Sequence, residues 1–157
     1  MKVNIGLKDG ARASVIGILN KLLADEFVLY TKTRRFHWNV VGPDFSELHK
    51  FFEAQYEAIE AFIDDVAERA RALDGTASGS LKEFLALTRL EEKSGTNPQA
   101  QGMIEALLGD HETIVRNLRA DLDEVGEKHG DAGTNDFLTG LMEQHEKMAW
   151  MLRAYLR

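Results

Sequence analysis

The chain has 157 residues, 44% apolar and 29% charged, enough for one domain with a full core. Nineteen Lys and Arg against 26 Asp and Glu leave a net charge of −7, which argues against a surface that coats nucleic acid. Cysteine is absent, which excludes disulfides, thiolate metal sites and a cysteine nucleophile.

The N-terminal stretch "MKVNIGLKDGARASVIG" lacks the apolar core and cleavage site of a signal peptide. No apolar run is long enough to span a bilayer. A single domain over 1–157 is expected, cytoplasmic, with a short tail at 1–10. The first helix is predicted from Ala11 to His37, where Val15, Leu19, Leu22, Leu29 and Phe36 recur near one face. It stops at "NVVGP". Asp44, with Glu47 three positions on, predicts a capping box opening a second helix from Phe45 to Leu73, and Gly75 reads as its C-terminal stop. Within the next two dozen residues, "SLKEFLALTRL" predicts a short helix capped by Ser80. A third long helix is predicted from Asn97 to Lys128 on the stripe Met103, Leu107, Ile114, Leu118 and Leu122. A fourth runs from Asn135 to Tyr155 through Phe137, Leu141, Met148 and Leu152, after the break "HGDAGT". Met103, Met142, Met148 and Met151 read as core.

Four long helices with short, long and short joints fix a topology. Short joints make antiparallel neighbours, and the long middle joint can cross the whole bundle. The expected fold is therefore all-α: a ferritin-like four-helix bundle with one long crossover that carries a short extra helix between the second and third helices.

Two side-chain pairs carry the chemistry. His37 and His49 lie twelve residues apart on either side of Gly42-Pro43, so the turn brings them to one end of the bundle. Asp64 and Glu68 are four residues apart, on one face of the second helix. Imidazole and carboxylate together suit iron or zinc. Yet Asp64 lies 15 residues beyond His49, about 22 Å along a helix axis, whereas a metal–ligand bond is about 2 Å long. One chain therefore cannot bring the pairs to one ion. The stripe His49, Glu53, Glu57, Glu60, Asp64 and Glu68 offers another solution. Two copies of this helix, antiparallel about a two-fold axis near Glu57, would set the histidines of each chain against the carboxylates of the other, twice. A solvated acidic stripe is the plainer alternative. A di-iron site inside one bundle is not encoded, because none of the five histidines has Glu three residues before it. His111, His129 and His145 lack carboxylates at ligand spacing and read as structural or exposed.

"LLADEFVLYTKTRRFHWNVVGPDFSELHKFFEAQYEAI", "IDDVAERARALDG" and "DFLTGLMEQHEKMAWMLRAYL" resemble the Dps family, the mini-ferritins named for DNA-binding proteins from starved cells. The resemblance implies a hollow homododecamer of 23 symmetry with two ferroxidase centres at each two-fold interface. There Fe(II) is oxidised, preferentially by hydrogen peroxide and otherwise by dioxygen, and ferric oxyhydroxide is stored inside. By position, His37 and His49 would be ligands from one subunit and Asp64 and Glu68 from its neighbour. Zinc is a substitute the ligand set admits. Glu53 and Trp38 are accessory candidates: Glu53 lines the interface or approaches a second iron, and Trp38 either catches stray oxidising equivalents or is a buried aromatic that packs the helix end. Asp131 and Asp136 are candidates to line an acidic three-fold pore. The resemblance also raises DNA compaction. The expected tail offers only Lys2 and Lys8, beside Asp9, and the sequence stops at "MLRAYLR", so DNA binding is expected to be weak or absent.

Overall fold

The computed structural model describes residues 3–157, and Met1 and Lys2 lie outside it. Five α-helices follow in order: α1 Asp9–Asn39, α2 Phe45–Ala72, α3 Leu81–Leu87, α4 Ala100–Asp123 and α5 Ala132–Ala154. A five-residue π-helical turn, Glu124–Lys128, closes α4. The described residues contain no strand. α1 and α2 form one long hairpin and α4 and α5 the other, and the segment with α3 crosses between them. This is the expected ferritin-like bundle.

The core comes from the expected stripes. Val15, Leu19, Leu22, Leu29 and Phe36 of α1 are closed to solvent, as are Met103, Leu107, Ile114 and Leu118 of α4. Each such side chain contributes about 1.5–3 kcal/mol by leaving water. Met151 departs from expectation: it faces outward on α5, while Met103, Met142 and Met148 are buried.

The helix ends differ from the sequence expectation in instructive ways. Asp44 makes no capping hydrogen bond with its side chain. The capping box is instead at Ser80 and Glu83, where Ser80 Oγ accepts from the Glu83 amide and Glu83 Oε2 accepts from the Ser80 amide. The end of α2 is turned by Asp74, at φ 64°, not by Gly75. The Asp74 amide donates to Arg71 and the Gly75 amide to Ala70, which is the Schellman pattern. Gly75 serves a different need, since a Cβ there would sit 2.6 Å from the Ile16 side chain. α3 stops at Leu87, short of the expected Leu90, because Thr88 and Arg89 turn inward to Asp25. α4 starts at Ala100, three residues later than expected. Its C-terminal turn widens where Asn135 Nδ2 donates to the Leu122 carbonyl, 2.9 Å away, and fills the space a Cβ on Gly126 would take. α5 starts at Ala132, not Asn135, because Asp131 is its N-cap.

Polar ties hold the crossover down. Asp25 of α1, fully buried, accepts from the Arg89 amide at 2.6 Å, the Thr88 hydroxyl at 2.9 Å and Arg89 Nε at 2.8 Å. Arg89 also reaches Asp121 of α4 at 2.9 Å. Lys32 of α1 joins Asp110 of α4 at 2.6 Å and the carbonyl of Glu91 at 2.8 Å. One crossover strand is thus fastened to both helices that it passes.

Candidate metal centre

α1 runs on through "RRFHWN" and ends at Asn39, so His37 lies in its last turn. α2 starts at Phe45 after a turn with Gly42 at φ 123°, so His49 lies in the second turn of α2. The two imidazoles stack, with centroids 3.8 Å apart and ring planes 17° from parallel. Each is held by the other's backbone. His37 Nδ1 donates to the His49 carbonyl at 2.7 Å, and His49 Nδ1 donates to the His37 carbonyl at 2.9 Å. A carbonyl only accepts, so both protons sit on Nδ1 and both Nε2 atoms are left as bare acceptors. A ligand histidine needs this arrangement: tautomer and ring orientation are fixed before any ion arrives.

Aromatic rings wall the pair. Tyr56 meets His37 edge-on at 5.2 Å, and Phe45 stacks on His49 at 5.1 Å. Burial pushes the Tyr56 phenol up from its ordinary range, and the Glu53 carboxylate pushes it further the same way. Glu53 is half-buried, one turn along α2 from His49. Trp38 is 64% exposed and lies 5.6 Å from the Arg34 guanidinium, so it does not pack against its own chain's core.

Asp64 and Glu68 sit on the same face of α2, both exposed, with no hydrogen bond or ion pair among the described residues. α2 is unbroken from Phe45 to Ala72, so the histidines and these carboxylates stand at different heights on one rod, about 22 Å apart along its axis. Among the described residues of a single chain, no three His, Asp or Glu side chains gather around one point suited to a metal.

Other expected site residues fare differently. Asp131 is buried and already engaged. Its Oδ1 accepts from the Thr134 amide at 3.0 Å and from Arg69 at 3.3 Å, while its Oδ2 accepts from the Thr134 hydroxyl. It caps α5, and Asp136, the other candidate, is exposed. His145, read as structural or exposed, is fully buried, and its Nε2 lies 2.7 Å from Glu26 Oε1, a partner far away in sequence. His129 lies 3.5 Å from Glu124.

Comparison with known proteins agrees with this architecture. A family model described as a ferritin-like domain matches residues 16–157. The DNA protection during starvation protein 2 of Bacillus anthracis is 40% identical over 142 residues, covering 90% of this chain and 96% of that protein. The chain belongs to the Dps family. Within the Dps family and its neighbours, an uncharacterized low temperature-induced protein of Nostoc sp. (strain PCC 7120) is 49% identical over 155 residues, 99% of this chain and 87% of that one. The Dps structure from Thermosynechococcus elongatus superposes with a TM-score of 0.89 at 32% identity, covering 94% and 93% of the two chains. A Dps protein from Vibrio cholerae O1, described as a member of a broad superfamily of ferritin-like diiron-carboxylate proteins, superposes at 0.91 with 30% identity, covering 100% and 98%. The described residues of this Dps chain form helices and no strand, and none of these helices is long and apolar enough to cross a membrane.

Proposed function

We propose that this Dps protein is a cytoplasmic ferroxidase and iron store that oxidises Fe(II), preferentially with hydrogen peroxide, at centres shared between two-fold-related subunits. His37 and His49 supply one half of each centre and the partner's copies of Asp64 and Glu68 the other. The observation that carries this reading is the reciprocal hydrogen bonding of the histidine pair, which leaves both Nε2 atoms without a hydrogen-bond partner among the described residues.

The chemistry follows from the donor set. Neutral imidazoles receive Fe(II) without adding charge, and carboxylate oxygens favour Fe(III), which drives the oxidation. Protons compete with Fe(II) for Nε2, so iron affinity falls on acidification. The carboxylates of Asp64 and Glu68, exposed and unpaired among the described residues, draw the cation in. Trp38, adjacent in sequence to His37, is placed to intercept one-electron oxidants. The rim round the histidines also supports a partner: Trp38, Val41 and Phe45 are apolar and exposed, 64%, 66% and 46%.

A shared site requires assembly. Twelve chains of 17.6 kDa in a closed 23 shell weigh about 210 kDa, with Asp136 near a cation-drawing pore. Light scattering in dilute neutral buffer is expected to give this mass, and a monomer would remove the basis for the shared centre. DNA binding is expected to be weak, given the net charge of −7 per chain. Retardation of DNA in a gel at moderate salt would contradict that.

A further inference from the structure

The centre of the bundle holds a polar chain that iron oxidation as described above does not use. Glu26 of α1, His145 of α5 and His111 of α4 are each fully buried. Glu26 Oε1 lies 2.7 Å from His145 Nε2, and His145 Nδ1 lies 2.9 Å from His111 Nδ1. The three residues join three helices from within the core, whereas the ion pairs Lys32–Asp110 and Arg153–Glu112 join the same helices away from it. Phe62 of α2 covers the chain, its ring 5.7 Å from that of His145. Two further atoms, Glu26 Oε2 and His111 Nε2, are buried with no partner.

We propose that Glu26, His145 and His111 form an acid-sensitive latch between α1, α4 and α5, closed by a single proton shared between the two histidine Nδ1 atoms. The carboxylate accepts, so His145 donates to it through Nε2. Between the two Nδ1 atoms, one must donate and the other accept. The latch closes whichever ring owns that proton, because one N–H and one lone pair meet at 2.9 Å. When both rings are imidazolium, two N–H groups face each other at that distance, the bond is lost, and two like charges share a dry site. Only one carboxylate is there to offset them. The groups facing the latch are Glu26 from α1, His145 from α5 and the uncharged Phe62 from α2, and the charge acting on His111 comes from His145.

The direction of titration agrees. Desolvation, then the neighbouring His145 charge, holds His111 well below the ordinary imidazole value. An opened bundle gives His111 back an ordinary imidazole near 6.5, so it binds more protons than the closed one below that pH. Stability from the closed latch is therefore fully present above about pH 6.5 and is lost as pH falls from there towards the depressed value of the folded state.

Hydrogen exchange of the assembled, iron-free protein between pH 7.5 and 5, corrected for intrinsic rates, tests the latch. With one proton taken up at His111 on opening, the opening equilibrium of α4 and α5 should rise more steeply as pH falls below 6.5, approaching about tenfold per pH unit. Peptides of α3, which touches none of the three residues, should rise less. His111→Asn keeps an acceptor oxygen near the Nδ1 position and does not titrate, so it should flatten the slope in α4 and α5, whatever its effect at neutral pH. Equal slopes in the variant and the parent would overturn the proposal. So would a uniform rise over all helices of the parent, a result that decides the matter even where the variant does not fold. Iron oxidation is absent from this test, so failure of the latch and failure of the ferroxidase reading are separate results.

Discussion

Cages reassembled from two inactive variants should recover fast iron oxidation that neither shows alone. One variant carries His37→Ala and His49→Ala, the other Asp64→Ala and Glu68→Ala. Loss of a group that merely orients a metal ligand costs 10–100-fold, so each homo-oligomer, with two ligands gone from every centre, should lose at least about 100-fold. In a mixed two-fold pair, the centre built from the intact histidines of one chain and the intact carboxylates of the other is complete, and the second centre is empty. Random reassembly makes about half of the two-fold pairs mixed, so about a quarter of all centres should work. Initial rates of Fe(II) oxidation after peroxide addition measure this, with native mass spectrometry to show that both chains share cages. Mixed cages without activity would mean that the ligands are not divided between subunits as proposed. Metal binding with unaltered Fe(II) would point instead to an ion, such as zinc, that occupies the centre without redox chemistry.

The pattern that made this experiment conceivable is local in sequence. His37 and His49 flank one turn, and Asp64 and Glu68 are one helical turn apart, so residue spacing alone puts His37 beside His49 and gives the height and direction of His49, Asp64 and Glu68 on α2. The long apolar stripes were legible for the same reason: their period is that of a helix. Features set by contact between distant segments were not. Glu26 and His145 are 119 residues apart, and no spacing rule relates them. Near Glu26, "ADE" is polar in a stripe that must be buried, a signal that some partner must exist without saying which. Asp131 was legible as an acid in an acidic loop, but not as a partner of Arg69, which arrives from another helix. Asp74 took the left-handed position that Gly75 seemed made for, since glycine was needed next to Ile16 instead. Tertiary contact decided each of these cases, and local propensity was overridden.

The same kind of distant contact sets the largest expected stability change. Asp25→Ala should destabilise the protein by about 3–5 kcal/mol, the cost of breaking a buried pair by removing one partner. Asp25 is fully closed to solvent and accepts from the Thr88 hydroxyl, the Arg89 amide and Arg89 Nε. With it gone, those donors face a dry space that alanine cannot fill with an acceptor. An arginine guanidinium keeps its proton in proteins, so Arg89 cannot shed its charge to escape. At about 2–4 °C per kcal/mol for a chain of this size, the midpoint of thermal unfolding should fall by roughly 10 °C at fixed protein concentration, and fixed concentration matters because assembly contributes to stability. Arg89→Leu in the same chain removes the stranded charge and should return part of the loss, although the Arg89 amide stays unpaired. A double variant at least as unstable as the sum of the two single ones would show that the ion pair is not what fastens the crossover. The backbone bond from Asp25 to the Arg89 amide, with the hydroxyl of Thr88, would then have to hold the two helical hairpins together.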